Sequence, residues 1–154
     1  MIEDSDYDMW ALIAQTRHIL FKARKKELEE YKISPMKSAV LVKIQELADK
    51  ATPTQIARVI VREPHSVSEI LNRMEKDGLV ERIKDPERKG RVRYTLTESG
   101  RKAYSQSVKR ETIHAIISSL SAEDYRQLST ILKKLRDAGL HELTKRQYKF
   151  SDIP

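Results

Sequence analysis

The residues with the clearest chemical potential form a dense group of positive charges between Arg82 and Arg93. Against two acidic side chains, Asp85 and Glu87, this stretch holds six basic ones: Arg82, Lys84, Arg88, Lys89, Arg91 and Arg93. Such a group attracts a polyanion such as nucleic acid, because Lys and Arg side chains neutralise phosphates. A solvated hairpin tip with ordinary surface charge has the same pattern, so the charges alone leave both interpretations open.

A short amphipathic helix is predicted just before this group, from Pro64 to about Lys76, with Gly78 able to adopt the left-handed conformation that ends a helix. Its apolar residues recur at spacings of three, four and seven: Val67, Ile70, Leu71 and Met74. Its opposite face mixes donors and acceptors: His65, Ser66, Ser68, Glu69, Asn72 and Arg73. In the DNA major groove, Asn72 would pair with adenine and Arg73 with guanine or a phosphate. His65, Ser66 and Ser68 would make shorter contacts with the DNA. The alternative is the solvated face of an ordinary helix.

Two more helices are predicted upstream, because Ser or Thr followed by Pro suits a helix start. These starts are Ser34-Pro35 and Thr52-Pro53, and Gln55 completes a capping box with Thr52. Backbone N–H groups at helix N-termini favour phosphate groups. We therefore expect contacts with the DNA backbone from four residues: Lys37, Thr54, Gln55 and Arg62.

The charged stretch itself is predicted to be the loop of a β-hairpin, because residues 79–84 and 92–96 alternate as short strands do. Three helices followed by a hairpin are the order of a winged helix-turn-helix, with the loop as its wing. The wing residues expected to reach the adjacent minor groove are Arg88, Lys89 and Arg91. Arg82 is assigned a structural role instead, as the partner of Asp85 or Glu81.

Long helices are predicted at both ends of the chain, over residues 5–31, 98–120 and 121–143. The first exceeds what one small domain needs to cover its core. Part of its apolar stripe is therefore expected to pack on a second subunit, the alternative being a helix that lies along its own domain. After Thr144 the periodicity ends, which predicts a C-terminal tail.

Composition excludes several classes of protein. The 154 residues fit one domain, and the absence of cysteine excludes disulfides, thiolate metal sites and a cysteine nucleophile. None of the four histidines lies at the i, i+4 spacing of a helical metal pair, and HExxH and GxSxG motifs are absent. We expect no cofactor, metal or enzymatic activity. An acidic N-terminus and the lack of an apolar run near 18 residues predict a cytoplasmic protein.

The stretch TPTQIARVIVREPHSVSEILNRMEKDGLVERI, followed by a charged loop and RYTLTESG, resembles the MarR family of winged-helix transcription regulators. The resemblance implies a mainly α fold of α+β winged-helix type. It further implies a homodimer that binds a palindromic double-stranded operator with half-sites roughly 10 base pairs apart. It also implies a small aromatic or phenolic effector. Sensing through a thiol, known in the family, is excluded because the chain has no cysteine.

In this interpretation the long terminal helices form the dimer interface. The residues assigned to it are Trp10, Ile13, Ile113, Ile117, Leu128, Leu132 and Leu135. The regions are 1–31 and 98–143 for dimerisation, 32–97 for the winged helix-turn-helix, and 144–154 for the tail.

Two features depart from the family pattern. The wing reads Arg88-Lys89-Gly90-Arg91 where an Asp-x-Arg group is usual, so Arg88 and Arg91 are both candidates for the minor groove. Glu63 stands at the helix cap where Ser or Thr is usual. The expected function is a dimeric repressor released by a small ligand. The alternatives are a winged-helix protein–protein adaptor and, within DNA binding, a PadR-like regulator.

Overall fold

The computed structural model describes residues 4–151, with side chains described for residues 4–145. Over this range the fold is mainly helical with one two-stranded antiparallel sheet, which confirms the predicted winged-helix class. The elements are α1 Ser5–Glu29, α2 Pro35–Leu47, a 3-10 turn Ala48–Lys50, α3 Pro53–Ile60, α4 Pro64–Lys76, β1 Val80–Lys84, β2 Val92–Leu96, α5 Glu98–Ser107, α6 Glu111–Ile117 and α7 Ala122–Ser151. None of the described helices is long and apolar enough to cross a membrane.

Side-chain caps define where the central helices begin, as the sequence predicts. The hydroxyl of Ser34 accepts the Lys37 N–H at 3.1 Å, and that of Thr52 accepts the Gln55 N–H at 3.2 Å. A proline follows each cap at the first helical position. Glu63 occupies the corresponding position before α4, but its side chain makes no capping hydrogen bond to the described residues.

The chain divides into two compact units, one ending at Ile113 and one beginning at His114. The core of the first unit is formed by α2, α3, α4, α5, the sheet and the segments that connect them. Its buried residues are Ile33, Val40, Leu41, Ile44, Ala51, Ile56, Ala57, Val67, Leu71, Met74, Val80, Tyr94, Leu96 and Ala103. Three of the apolar residues predicted for α4, Val67, Leu71 and Met74, are fully buried, and Ile70 packs against them. Burying this face of α4 leaves its polar face outward.

The hairpin is attached to the helices through Tyr94. This residue lies opposite Arg82 in the β1–β2 register, and its N–H donates to the Ala51 carbonyl at 2.9 Å. At the far end, the Asp85 N–H donates to the Arg91 carbonyl at 2.9 Å and closes the wing loop. Gly90 in that loop has a φ of 83°, which glycine adopts without strain.

The predicted fifth helix, 98–120, is wrong as a single element. It breaks after Ser107 and resumes at Glu111, with Arg110 in the left-handed region at φ 54°. Tertiary contacts with α1 stabilise the break. Arg24 donates to the Ser107 carbonyl, and the Glu27 carboxylate accepts the Thr112 N–H. Periodicity within the helix itself carries no signal of these contacts.

The last helix is longer than predicted. α7 continues to Ser151, so residues 144–151, assigned to a tail, are helical. The remainder of the predicted tail, residues 152–154, lies outside the described residues.

Candidate nucleic-acid interface

The polar face of α4 is presented outward as predicted. His65, Ser66, Asn72 and Arg73 are exposed, and Ser68 is half-buried. The imidazole Nε2 of His65 lies 3.4 Å from the Glu69 carboxylate one turn later, a pair that is ionic only when the histidine is protonated. Apart from that acid, the face offers hydroxyl, amide and guanidinium groups, which can contact both base edges and phosphates.

Arg82 connects the hairpin to α4, and its predicted pairing with Asp85 or Glu81 is wrong. Its guanidinium donates to the Tyr94 hydroxyl at 3.1 Å and to the Asn72 amide oxygen at 3.4 Å. The Glu75 carboxylate lies 4.0 Å away. The hydrogen bond with Tyr94 is the main cause that raises the pKa of Arg82 above its ordinary value. The prediction failed because the sequence does not show that β1 runs beside α4.

The two wing arginines differ in their surroundings. Arg91 has its Nε 3.8 Å from the Asp85 carboxylate and is half-buried. Arg88 and Lys89 are exposed, and neither forms an ion pair with the described part of the chain. Arg88 is therefore the wing arginine whose charge is uncompensated within the described residues.

A cleft of about 530 Å³ lies between the start of α3 and the wing loop. It is lined by residues of both segments: Thr52, Pro53, Thr54, Gln55, Arg88, Gly90, Arg91 and Val92. Two predicted phosphate-positioning residues, Thr54 and Gln55, thus meet the two wing arginines at one place. A helix N-terminus beside two guanidinium groups has the electrostatic character of a phosphate site.

The other predicted phosphate contacts lie elsewhere. The ammonium of Lys37 forms an ion pair with the Asp77 carboxylate at 2.5 Å, which links the start of α2 to the end of α4. Arg62 lies in the exposed turn between α3 and α4, where its N–H donates to the Ala57 carbonyl at 2.9 Å. The cleft at α3 and the wing contains neither residue.

A second cleft, of about 580 Å³, was not anticipated from the sequence. Its walls come from the α1–α2 connection, the end of α4 and α5: Tyr31, Lys32, Ile33, Lys37, Asp77, Leu79, Ser99, Lys102, Ala103 and Gln106. The amide oxygen of Gln106 is buried with no hydrogen-bond partner in the described structure. Dispersed residues from three segments form this cleft, so no local motif could have indicated it.

Arg24 is a further residue that the sequence did not single out. It is buried, and it donates to Glu27 at 2.6 Å, to the Ser38 hydroxyl at 3.3 Å and to the Ser107 carbonyl at 2.6 Å. These contacts connect α1 to the start of α2 and the end of α5. In sequence, Arg24 is one of several charged residues near the end of α1, and nothing distinguishes it from solvated neighbours.

The residues assigned to dimerisation all lie at the surface of the single chain. Trp10 is 71% exposed, and Ile13, Ile113 and Ile117 are each more than a third exposed. On α7, the assigned residues Leu128, Leu132 and Leu135 are exposed as well, together with Tyr125, Ile131, Leu140 and Leu143. Exposed large apolar side chains are thus frequent on α1 in the first unit and on α7 in the second, and such patches are typical of interaction surfaces.

Residues 34–100 match the winged helix DNA-binding domain family. No curated protein matches the chain at a significant level. The ligand-free structure of the organohalide-sensing RdhR-CbdbA1625 transcriptional regulator is 35% identical, with a TM-score of 0.81 over 90% of this chain and 83% of that one. Its 2,4-dichlorophenol-bound form is 34% identical, with a TM-score of 0.81 over 89% and 82% of the two chains.

Two DNA complexes are also similar. MepR of S. aureus bound to DNA is 25% identical, with a TM-score of 0.76 over 83% of this chain and 96% of that one. A mutant MarR of E. coli complexed with operator DNA is 22% identical and shares the fold, with a TM-score of 0.78 over 88% and 98%. With a recognition helix, a wing and flanking long helices in this order, the chain belongs to the MarR family of winged-helix transcription regulators.

Proposed function

We propose that this regulator is a cytoplasmic homodimeric repressor that binds a palindromic operator and is released by a small aromatic or phenolic ligand. The observation that carries the proposal is the cleft shared by α3 and the wing, because Thr54, Gln55, Arg88 and Arg91 line it together. The helix α4, whose polar face is exposed, packs against α3. A DNA duplex offers phosphates to the cleft and base edges to the helix at the same time.

In the proposed complex, the exposed face of α4 enters the major groove and the wing reaches the neighbouring minor groove. Ser66 and Arg73 would contact bases or phosphates from α4. Arg88 is the better candidate for the minor groove, since Arg91 already faces Asp85. Arg62, in the turn before α4, would add a phosphate contact.

The exposed apolar residues of α1, α6 and α7 support a dimer. Burial of one Leu, Ile or Phe side chain contributes about 1.5–3 kcal/mol, so covering Trp10, Ile13, Leu128 and Leu132 with a second copy would be strongly favourable. A two-fold dimer presents two identical recognition helices, which requires an operator with matching half-sites.

The second cleft is the proposed effector site. Tyr31, Ile33, Leu79 and Ala103 supply apolar and aromatic surface. Gln106 also lines the cleft, and its amide oxygen is buried without a hydrogen-bond partner in the described structure. The relative crystallised with 2,4-dichlorophenol supports a ligand of this class. Such a ligand can weaken DNA binding only by its difference in affinity between two states of the protein.

The Lys37–Asp77 ion pair connects the proposed effector site to the end of α4. Both residues line the cleft, and Asp77 directly follows the last residue of α4. A ligand that displaces either partner would change how the end of α4 is held against α2. The recognition helix would then shift relative to the operator.

The experiment is selection of bound duplexes from a random pool, followed by sedimentation of the complex. We expect an enriched palindrome and two protein chains per duplex. Ser66→Asp should abolish enrichment, because it places a carboxylate against phosphates, whereas Ser105→Asp on the exposed side of α5 should not. Absence of any enriched sequence with the wild-type protein at low salt would overturn the proposal and favour a protein–protein adaptor.

A further inference from the structure

The orientation of the Asn72 amide is set by a neighbour on the hairpin. The side-chain oxygen of Asn72 lies 3.4 Å from a terminal guanidinium nitrogen of Arg82. Arginine carries only donors, so the amide group facing it must be the oxygen and not the NH₂. The NH₂ group of Asn72 is therefore directed away from Arg82 and remains available as a donor.

Arg82 is itself held in place, so it acts as a fixed donor. It lies directly opposite Tyr94 in the sheet register, donates to the Tyr94 hydroxyl at 3.1 Å, and has its guanidinium carbon 5.8 Å from the centre of that ring. Tyr94 is 2% exposed and belongs to the core. Glu75, on the same helix as Asn72, has its carboxylate 4.0 Å from the guanidinium. Contacts with the buried Tyr94 and with Glu75 thus hold the partly exposed guanidinium beside α4.

We infer that Arg82 is a positioning residue for base recognition, which turns the Asn72 amide so that its NH₂ group faces the bases of the major groove. The inference rests on the proposed DNA binding through α4. Asparagine normally pairs with adenine by accepting from N6 and donating to N7, and this requires the oxygen and the NH₂ to face the base together. The amide oxygen can accept two hydrogen bonds, but its contact with Arg82 turns it toward the hairpin, so Asn72 presents its N–H groups to the DNA.

The N–H groups of Asn72 favour bases whose exocyclic group in the major groove is a hydrogen-bond acceptor. Guanine offers O6 and N7, and thymine offers O4, so both keto bases accept from Asn72. Adenine also offers N7, but its N6 amino group is a donor, as is the N4 amino group of cytosine, and a donor at that position opposes the N–H groups of Asn72. At the base contacted by Asn72, the operator should therefore carry guanine or thymine on the contacted strand in preference to adenine or cytosine.

The test compares sequences selected from a random duplex pool by the wild type and by variants of these residues. The wild type should prefer a keto base by about 5-fold at one position of each half-site, the factor that corresponds to one hydrogen bond. Asn72→Ala should remove that preference and leave the other positions unchanged. Arg82→Met keeps the aliphatic stem but frees the amide oxygen, so adenine should become accepted at this position alone.

Arg93→Met is the matched control, because it removes the same charge from the same hairpin, at a residue that pairs with Ile83 rather than with Tyr94. It should weaken binding evenly without altering base preference. Tyr94→Phe keeps the buried ring and removes only the hydroxyl that holds Arg82. It should move the preference part of the way toward adenine, and it tests the inference even if Arg82→Met does not fold.

The outcomes separate two kinds of failure. If the wild type enriches no sequence, both the proposed function and this inference are overturned. If the wild type enriches a palindrome but prefers adenine at the position that Asn72→Ala affects, the inference alone is overturned. It is equally overturned if both Arg82→Met and Tyr94→Phe leave the preference unchanged.

Discussion

The guanidinium of Arg24 donates a 2.6 Å hydrogen bond to the main-chain carbonyl of Ser107, 83 residues further along the chain. The same guanidinium pairs with Glu27 at 2.6 Å, and the other oxygen of Glu27 accepts the Thr112 N–H at 3.2 Å. One largely buried ion pair thus satisfies both sides of the break between α5 and α6. Carbonyl and N–H groups at helix ends otherwise lack partners, so these contacts stabilise the break at this point.

Glu27→Gln should destabilise the fold near neutral pH by about 1–2 kcal/mol, because the carboxylate makes charge-assisted hydrogen bonds that an amide cannot fully replace. Burial opposes ionisation of Glu27, but the hydrogen bonds from Arg24 and Thr112 outweigh it and lower the pKa below its ordinary value of 4.5. A lowered pKa contributes stability that is complete above 4.5 and is lost as the pH falls through the folded value.

Chemical unfolding measured from about pH 7 to pH 3 checks this prediction. The difference between wild type and Glu27→Gln should shrink on the acidic side. Glu46→Gln is the control, since Glu46 forms an i, i+3 pair with Lys43 at an exposed site and should change stability by at most about 0.5 kcal/mol. A constant difference across the whole pH range would contradict the assigned role of Glu27.

Gly100→Ala should reduce the free energy of unfolding by about 3 kcal/mol or more. A Cβ at this position would lie 1.9 Å from the Leu79 carbonyl oxygen, so either α5 or the start of β1 would have to move. Gly139→Ala in α7 is the matched control. A Cβ there meets no atom of the described structure within 4 Å, and alanine should raise stability by about 0.5–1 kcal/mol. Equal effects of the two substitutions on thermal unfolding would refute the close approach.

Val61→Gly is expected to stabilise the protein, although glycine usually does the opposite. Val61 ends α3 in the left-handed conformation, with φ 55° and ψ 59°, which costs an L-residue about 1–2 kcal/mol. Glycine removes that strain but loses more chain entropy on folding, so the net gain should be about 0.5–1 kcal/mol. Val59→Gly, two residues earlier and inside α3, should lower stability by about 0.5 kcal/mol. Denaturant midpoints with unchanged slopes would establish both signs.

The sequence predicted those elements whose signals are local. Pro35 and Pro53 after their caps gave the starts of α2 and α3, and the spacing of Val67, Leu71 and Met74 gave the buried face of α4. These predictions are confirmed because capping and helical periodicity depend only on residues that are close in sequence.

The features that were missed depend on contacts between distant parts of the chain. The break after Ser107 follows from Arg24, and the partner of Arg82 follows from the approach of β1 to α4. Lys37 was predicted as a phosphate contact, and its pairing with Asp77 spans 40 residues. The predicted partners of Arg82, Asp85 and Glu81, were simply the nearest acids along the chain. Proximity in sequence is a poor guide to an ion pair once a sheet and a helix pack together.

The wing arginines give the remaining prediction. Log affinity for DNA falls linearly with log salt concentration, with a slope that decreases by roughly one for each phosphate contact removed. Arg88→Ala should reduce the slope by about one, because Arg88 has no acidic partner in the described structure. Arg91→Ala should reduce it less, since Asp85 lies 3.8 Å from its guanidinium and already offsets part of its charge.

Titrations of the selected operator at several salt concentrations measure these slopes, and the double variant should show the largest reduction. Arg126→Ala, on α7, removes the same charge at a residue paired with Glu123 and should leave the slope unchanged. If the slope of Arg88→Ala equals that of the wild type, the wing does not contact phosphates. A larger effect of Arg91→Ala than of Arg88→Ala would instead mean that DNA separates Arg91 from Asp85, at the cost of exposing that carboxylate to the negative potential of the groove.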